Sequence, residues 1–446
     1  MKYGDETILK ITSVDKKGRG TGKVMPTDKQ GKERDAVVPF ALPGEEIRGV
    51  CVGRRNGKLK LEVKEVLTPS PDRIKPPCPH ALTCGGCAWQ HLDYPAQVEL
   101  KRNQINQAFG RAGLPPVREM IPAESPFRYR NRMDFCAGWG GELGLKKPGR
   151  WNAYVDLGEC HLVSPGMEEV FQRAKKCFQE SGIEHYDAKK HTGHLRYLVI
   201  REGVGTGERM ATVLTMPGEL PRADQLVAAL SPLCTTIYHG VSQRFADLSY
   251  ADDFHLLHGK PEFEEEVLGK RFVIHPNAFF QTNTVMATKL VEQTRDYLAE
   301  AGPRSLLDLY CGTGLFGICL ADTVEHVFGV EIEDAAVQSA RANAERNGVT
   351  NIRFETAKAE DLIWSEEQPD AVIIDPPRAG LHSRVIRTLL EKRPPTLVYV
   401  SCNYQSLARD WADLSEGYDW VEAKAFDLFP HTPHVETVAL LKAKPT

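Results

Sequence analysis

Short runs of alternating apolar and polar residues fill the first 66 positions, and a rhythm of apolar strands and helical stretches takes over after residue 304. The early runs are Thr7-Ile8-Leu9-Lys10-Ile11, Gly18-Arg19-Gly20-Thr21-Gly22, Ala36-Val37-Val38-Pro39-Phe40 and Ile47-Arg48-Gly49-Val50-Cys51-Val52, separated by Gly-containing turns. Evenly spaced short strands of this kind predict a small β-barrel over residues 1–66. Arg54, Arg55, Lys58 and Lys60 give its end a basic hairpin of the sort that binds oligonucleotides. Pro69, Pro71, Pro76, Pro77 and Pro79 mark a linker. A mixed α+β region follows over 67–275. It contains a predicted helix at 95–110, with Lys101 and Arg102 exposed, which is expected to pack on the domain that follows. Phe127-Arg128-Tyr129-Arg130-Asn131-Arg132 reads as a strand with three arginines on one face, expected to contact phosphate.

The region 276–446 reads as a doubly wound α/β domain. Its strands are expected at Ser305–Tyr310, His326–Val330, Ile352–Glu355, Asp370–Ile374 and Thr396–Val400. Ligands of such sheets sit at the carboxyl ends of the strands, where Tyr310, Glu331, Asp375 and Cys402 fall.

Charge adds a second asymmetry. The whole chain carries a net charge of −4, but residues 1–150 hold 27 Lys and Arg against 17 Asp and Glu, and the remainder 29 against 43. A basic front half that grips nucleic acid and an acidic half that does chemistry would give this division. No run approaches the length of a membrane span, and the N-terminus lacks the apolar stretch of a secretory signal, so a cytoplasmic protein is expected. With an odd count of eleven cysteines, local cysteine clusters read as metal or catalytic sites rather than as disulfides.

Three groups of residues carry candidate chemistry. Asp308-Leu309-Tyr310-Cys311-Gly312-Thr313-Gly314-Leu315-Phe316-Gly317 turns a strand into a helix and satisfies G-x-G-x-x-G, with Glu331 19 residues after Gly312 placed to hold ribose hydroxyls. NAD and S-adenosyl-methionine sites share this pattern. Ile374-Asp375-Pro376-Pro377-Arg378 favours methyl transfer, and the absence of an aromatic residue after the Pro-Pro pair favours a ring carbon over an exocyclic amine as target. Near the end, Ser401-Cys402-Asn403 offers a thiol and Phe429 to Thr437 offers the carboxylate of Glu436, the two groups needed for covalent catalysis with a proton acceptor. No thiolate-activating partner of Cys402 is visible in the sequence. Finally, Cys78, Cys84 and Cys87, with Cys160 far downstream, can close a four-thiolate site for an iron–sulfur cluster or zinc.

Taken in order, these motifs resemble the RNA 5-methyluridine methyltransferase family, and especially its bacterial 23S ribosomal RNA uracil-5-methyltransferases. The resemblance runs over nearly the whole chain. It includes Gly18-Arg19-Gly20 and Ala41-Leu42-Pro43-Gly44-Glu45 of a TRAM barrel, Cys78-Pro79-His80, Cys84-Gly85-Gly86-Cys87, Tyr129-Arg130-Asn131-Arg132, Phe279-Phe280-Gln281-Thr282-Asn283 and His434-Val435-Glu436-Thr437. It implies a class I S-adenosyl-methionine-dependent methyltransferase domain of Rossmann-like fold behind an OB-like TRAM barrel, with a central domain carrying a [4Fe-4S] cluster on Cys78, Cys84, Cys87 and Cys160. It also implies that Gln281, Tyr310, Glu331 and Asp375 contact S-adenosyl-methionine, that Cys402 is the nucleophile and that Glu436 is the proton acceptor. The chain departs from the family at Tyr404, where Pro is usual, and at Lys358, where some relatives carry Asn.

The implied activity is methylation of C5 of a uridine in 23S ribosomal RNA by a monomeric enzyme, with the T-loop uridine of transfer RNA as the alternative. An NAD-dependent oxidoreductase would leave Cys402 and Glu436 unexplained, and a silent RNA-binding protein would not need them. A 5-methylcytosine enzyme would carry a cysteine where this chain has Arg378.

Overall fold

A closed barrel forms from β1 (Glu6–Val14), β2 (Gly20–Val24), β3 (Arg34–Val38), β4 (Glu46–Arg55) and β5 (Lys58–Thr68), in the order β1-β2-β3-β5-β4. The computed structural model describes residues 1–24, 33–361, 364 and 367–445. Leu9, Ile11, Ala36, Val38, Ile47, Leu59 and Leu61 fill the barrel, the inward set of the alternation seen in the sequence. In β2 a side chain at Gly22 would bring its Cβ to 2.3 Å from the Lys10 carbonyl, so the close approach of β1 requires glycine there. The basic hairpin turns at Asn56-Gly57, both in the left-handed region (φ 50° and 77°), as a two-residue turn matched to strand twist demands.

One buried ion pair ties the barrel to the segment after it. Glu45 is fully buried, accepts from the backbone N–H of Leu42 (2.8 Å) and Ser70 (3.2 Å), and pairs with the Arg73 guanidinium through two nitrogens. Arg73 and the two backbone donors outweigh burial and hold the Glu45 carboxyl below its usual range. The Ala41–Glu45 motif is thus a structural latch.

Beyond the barrel come α1 (Tyr94–Arg111), β6 (Glu119–Ile121), β7 (Arg132–Ala137) and a hairpin of β8 (Leu143–Lys146) and β9 (Tyr154–Asp156). The chain divides into two units: Met1–Lys101 with Glu142–Glu159 and Phe429–Pro433, and Arg102–Gly141 with Cys160–Leu428 and His434–Thr446. Within the first unit the His431 carbonyl accepts from the N–H of both Ala88 (2.7 Å) and Trp89 (3.0 Å), while the His431 ring meets the Gln97 amide (3.1 Å). These bonds explain why five residues near the C-terminus belong with the barrel.

The second unit holds two large sheets and a two-stranded hairpin among the described residues. One runs β13-β12-β11-β10-β7, built from β10 (Leu195–Glu202), β11 (Arg209–Thr215), β12 (Thr236–Val241), β13 (Asp253–Gly259) and β7, with α2 (Pro165–Ser181) and α3 (Ala223–Leu230). The expected arginine strand is not formed. Arg128 adopts φ 58°, which breaks the extended run, and β7 begins only at Arg132. Arg128 donates to the carbonyls of Cys160 and Val163 and pairs with Glu168, and Arg132 is held bidentate by Asp134. Both guanidiniums serve internal contacts rather than phosphate.

After the short hairpin β14 (Glu264–Val267) and β15 (Lys270–Val273), helix α4 (Thr284–Ala301) leads into the doubly wound domain. It alternates β16 (Ser305–Leu309), α5 (Leu315–Leu320), β17 (His326–Glu331), α6 (Asp334–Arg346), β18 (Ile352–Thr356), β19 (Ala371–Ile374), α7 (Ser383–Lys392), β20 (Thr396–Ser401) and α8 (Tyr404–Leu414), then closes with β21 (Tyr418–Phe426) and β22 (Glu436–Ala443). Among the described residues the sheet order is β18-β17-β16-β19-β20-β22-β21-β6. The first five are parallel, as the alternation of strand and helix requires, and β22 runs antiparallel to β20. Chain reversal at β22 brings the late Glu436 back to the ligand-binding end of the sheet.

Candidate active site

The first loop of the doubly wound sheet is built by conformations that only certain residues tolerate. Tyr310 follows β16 with φ 66°, and both its N–H and that of Cys311 donate to the Val330 carbonyl (2.9 and 3.1 Å), which holds a non-glycine residue in a strained region. Gly312 (φ 54°) and Gly314 (φ 86°) complete the turn, and Gly314 caps α5. Beneath the turn, Asp308 is buried, with one carboxyl oxygen accepting from Gly317 N–H (2.9 Å) and the other without a partner. Burial pushes its pKa up to about 7, with the charges of Asp375 and Glu331 adding and the Gly317 bond opposing.

At the end of β17, Glu331 accepts from the backbone N–H of Gly312 (3.1 Å) on one oxygen and of Ile332 (2.8 Å) and Glu333 (3.0 Å) on the other. Its carboxylate is therefore fixed in direction, and of its roughly four lone-pair sites one is left, on the oxygen that faces Gly312, for a hydroxyl. Asp375, just past β19, is partly exposed but enclosed by protein, and that desolvation raises its carboxyl to about 7. Gln281 is held through its backbone: its carbonyl accepts from the Asn131 amide (2.8 Å), and Asn131 N–H donates to the Thr282 carbonyl (3.0 Å). This gives Asn131 of the Tyr129–Arg132 motif an internal purpose. Next to it Phe279 is 73% exposed, a large aromatic ring left in solvent two residues from Gln281.

Pairing of β20 with β22 brings Cys402 and Glu436 together. Ser401 lies opposite Thr437, and the Thr437 hydroxyl donates to the Ser401 carbonyl (3.3 Å). Cys402 is one residue beyond Ser401 and Glu436 one residue before Thr437, so the antiparallel register puts them across from each other at the same end. Burial, with the charges of Glu436 and Asp375 adding, raises the Cys402 thiol to about 11, and Arg378 opposes through its charge and a hydrogen bond. Glu436 is buried, and its carboxyl is pushed well above the usual range by burial and by Asp375, again opposed by Arg378. Arg378 also meets the His434 ring (2.6 Å), and its backbone carbonyl accepts from the Asn403 amide (2.9 Å) and the Ser406 hydroxyl (3.3 Å). The cation that acts on Cys402 is thus Arg378 after the Pro-Pro pair, a partnership that no local spacing could have shown.

Tyr404 stands at the first position of α8, where Asn403 is the cap and its side chain accepts from Gln405 N–H (3.3 Å). That position needs no N–H partner, which is why proline suits it, and a tyrosine there leaves the helix start in place.

None of the four cysteines is in a disulfide. Cys78, Cys84 and Cys87 belong to one segment of the first unit and Cys160 opens a segment of the second. Gly86 N–H donates to the Cys84 sulfur (3.4 Å) and the Gln90 amide to the Cys87 sulfur (3.1 Å), the outer contacts that thiolate ligands take. A Cβ at Gly85 would fall 2.6 Å from the Lys146 carbonyl, so the backbone passes where only glycine fits. Among the described residues no three His, Cys, Asp or Glu side chains converge at metal-holding distances. The donor chemistry suits a metal centre, while side-chain convergence is not seen.

Residues 263–444 match the family model described as tRNA (uracil-5-)-methyltransferase. An uncharacterised RNA methyltransferase of Listeria monocytogenes is 35% identical over 460 residues, spanning 100% of this chain and 98% of the relative. One from Nanoarchaeum equitans is 35% identical, spanning 98% and 93%. The crystal structure of the Pyrococcus abyssi tRNA (uracil-54, C5)-methyltransferase with S-adenosyl-L-homocysteine superposes with a TM-score of 0.80 at 33% identity, covering 98% of this chain and 100% of that one. The oxidoreductase and the silent binding protein are thereby set aside: this chain belongs to the RNA 5-methyluridine methyltransferase family and is an S-adenosyl-methionine-dependent RNA (uracil-5-)-methyltransferase.

Proposed function

We propose that Cys402 and Glu436 methylate uridine C5 through a covalent adduct, a reading carried by their apposition across β20 and β22 beside Arg378. Uracil C5 is a weak nucleophile. Addition of the Cys402 thiolate to C6 makes the base enolate-like, and C5 then takes the methyl group from the sulfonium. The adduct is trapped until the C5 proton leaves; Glu436 accepts it and the thiolate is expelled. Arg378 favours the thiolate and, through His434, fixes the approach to Glu436. Gln281, Tyr310, Glu331 and Asp375 hold the methyl donor, Glu331 by a ribose hydroxyl. The exposed Phe279 ring stacks on an unpaired base, since the C6 face is closed inside a helix.

The substrate we favour is one uridine of 23S ribosomal RNA, bound through the basic barrel 1–66 and the central region 67–275 to the catalytic domain 276–446 of a cytoplasmic monomer. The T-loop uridine of transfer RNA is the second reading, favoured by the Pyrococcus abyssi relative that acts on tRNA uracil-54. No described helix is long and apolar enough to cross a membrane. Cys78, Cys84, Cys87 and Cys160 are assigned to a [4Fe-4S] cluster, on the family resemblance and the N–H···S contacts at Cys84 and Cys87. Methyl transfer moves no electron, so these four cysteines would hold the cluster in a structural capacity.

Five outcomes follow. Glu436→Gln should accumulate a denaturation-resistant protein–RNA complex carrying labelled methyl, and Cys402→Ala should form none; a complex with Cys402→Ala would move the nucleophile elsewhere. For the wild type, log rate of adduct formation should climb about one unit per pH unit between pH 7 and 9, because the Cys402 thiol at about 11 is largely protonated there. Arg378→Gln should lower that rate at least tenfold at pH 8 and displace the rise to higher pH, with Arg378→Lys intermediate; an unshifted profile would remove Arg378 from thiolate activation. A deletion strain should lose 5-methyluridine from one position of 23S RNA, and loss from transfer RNA instead would select the second reading. Anaerobically prepared protein should contain iron and acid-labile sulfide, and stoichiometric zinc without iron would refute the cluster.

A further inference from the structure

A cavity of about 330 Å³ opens within the first unit, between the barrel and the segment that carries Cys87. Lys17, Arg19, Arg55, Lys60 and Arg150 line it, against the single carboxylate of Glu62. We propose that this cavity seats one nucleotide of the RNA strand, distinct from the reacting uridine, with its phosphate on the lysines and its base against Phe40. The inference rests on the reading of the chain as an RNA-methylating enzyme and adds a second contact point to it.

Charge argues first. Arg19 is held bidentate by Asp15, and Arg150 pairs with Glu62 at 3.4 Å, whereas the side chains of Lys17, Arg55 and Lys60 make no ion pair among the described residues. Three cations with no ion pair among the described residues, gathered around one concave site, attract a phosphodiester. The walls are also fixed before any ligand arrives. Trp89 is fully buried and donates from its indole to the Gly18 carbonyl (2.8 Å), and a Cβ on Gly18 would lie 2.9 Å from that nitrogen. On the opposite side Gly85 N–H donates to the Lys146 carbonyl (2.9 Å).

The cavity is not merely polar. Phe40, Val37, Val52 and Leu61 contribute apolar lining. Phe40 sits in the left-handed region (φ 63°), and its carbonyl accepts from Arg73 (2.8 Å), so the latch at Glu45 holds a strained aromatic residue at the cavity wall. A volume at the small end of ligand sites fits one nucleotide and excludes a duplex. Base against an aromatic wall and phosphate on lysine is how single strands are held without base pairing.

The test uses the full-length protein and a single-stranded RNA containing the candidate target uridine, read by fluorescence anisotropy across a potassium chloride series. The triple change Lys17→Gln, Arg55→Gln, Lys60→Gln should weaken binding at least tenfold and reduce the slope of log affinity against log salt by about 2. S-adenosyl-methionine affinity and thermal midpoint should stay unchanged. An abasic residue moved along the RNA should cost the wild type about tenfold at a position besides the target uridine, and the triple variant and Phe40→Ala should lose that position dependence. Equal binding by wild type and triple variant overturns the proposal. A reduced salt slope with a flat abasic scan in the wild type overturns it too, because a diffuse basic surface would then suffice. Binding is read without turnover, so a retained abasic signature in a protein that forms no 5-methyluridine would sink only the catalytic reading.

Discussion

The register between β20 and β22 is the constraint on which the chemistry of this fold depends. Ser401 opposite Thr437 puts the residue after one and the residue before the other at a common sheet end, although 34 positions separate Cys402 from Glu436. A slip of one residue would turn every side chain of β22 to the other face and remove Glu436 from the thiol. The sheet resists this because Val438, Ala439, Leu440 and Leu441 are buried and β21 pairs along the far edge of β22. Core packing of β22 thereby fixes where Glu436 lies relative to Cys402.

Around that pair the site concentrates acids. Asp308, Asp375 and Glu436 are all pushed upward by burial, and Glu331 is aimed by three backbone donors. Collecting carboxylates in a desolvated site is unfavourable unless a cation arrives, and a sulfonium methyl donor is such a cation. Two of these acids, Glu436 and Asp375, work against the Cys402 thiolate, whereas the guanidinium at position 378 lowers both the thiol and Glu436. In the proposed reaction the balance between these charges decides when the thiolate forms.

Much of this was legible in the sequence because it is local. The barrel strands, the Asn-Gly hairpin, the helix at Tyr94–Arg111 and the parallel strands from Ser305 onward follow from alternation and turn residues, and the observed boundaries lie within a few positions of the expected ones. The Phe127–Arg132 segment misled because period two alone does not exclude a left-handed residue, and Arg128 adopts one to reach the carbonyls of Cys160 and Val163. Two features were invisible for a different reason: they join residues remote in the chain. The partnership of Arg378 with Cys402 and His434 arises from strand order, and the docking of Phe429–Pro433 onto the first unit arises from a His431 carbonyl shared by Ala88 and Trp89. Tyr404 shows the converse, a departure in sequence that the helix start absorbs.

The central claim is that Cys402 bonds to C6 before C5 is methylated, and a suicide substrate reads this directly. RNA carrying 5-fluorouridine at the target should be methylated and then held, because fluorine cannot leave C5 as a proton does. Mass spectrometry of the digested complex should find one nucleotide, heavier by a methyl group, on the peptide containing Cys402. No adduct, or an adduct on a different residue, would contradict the account.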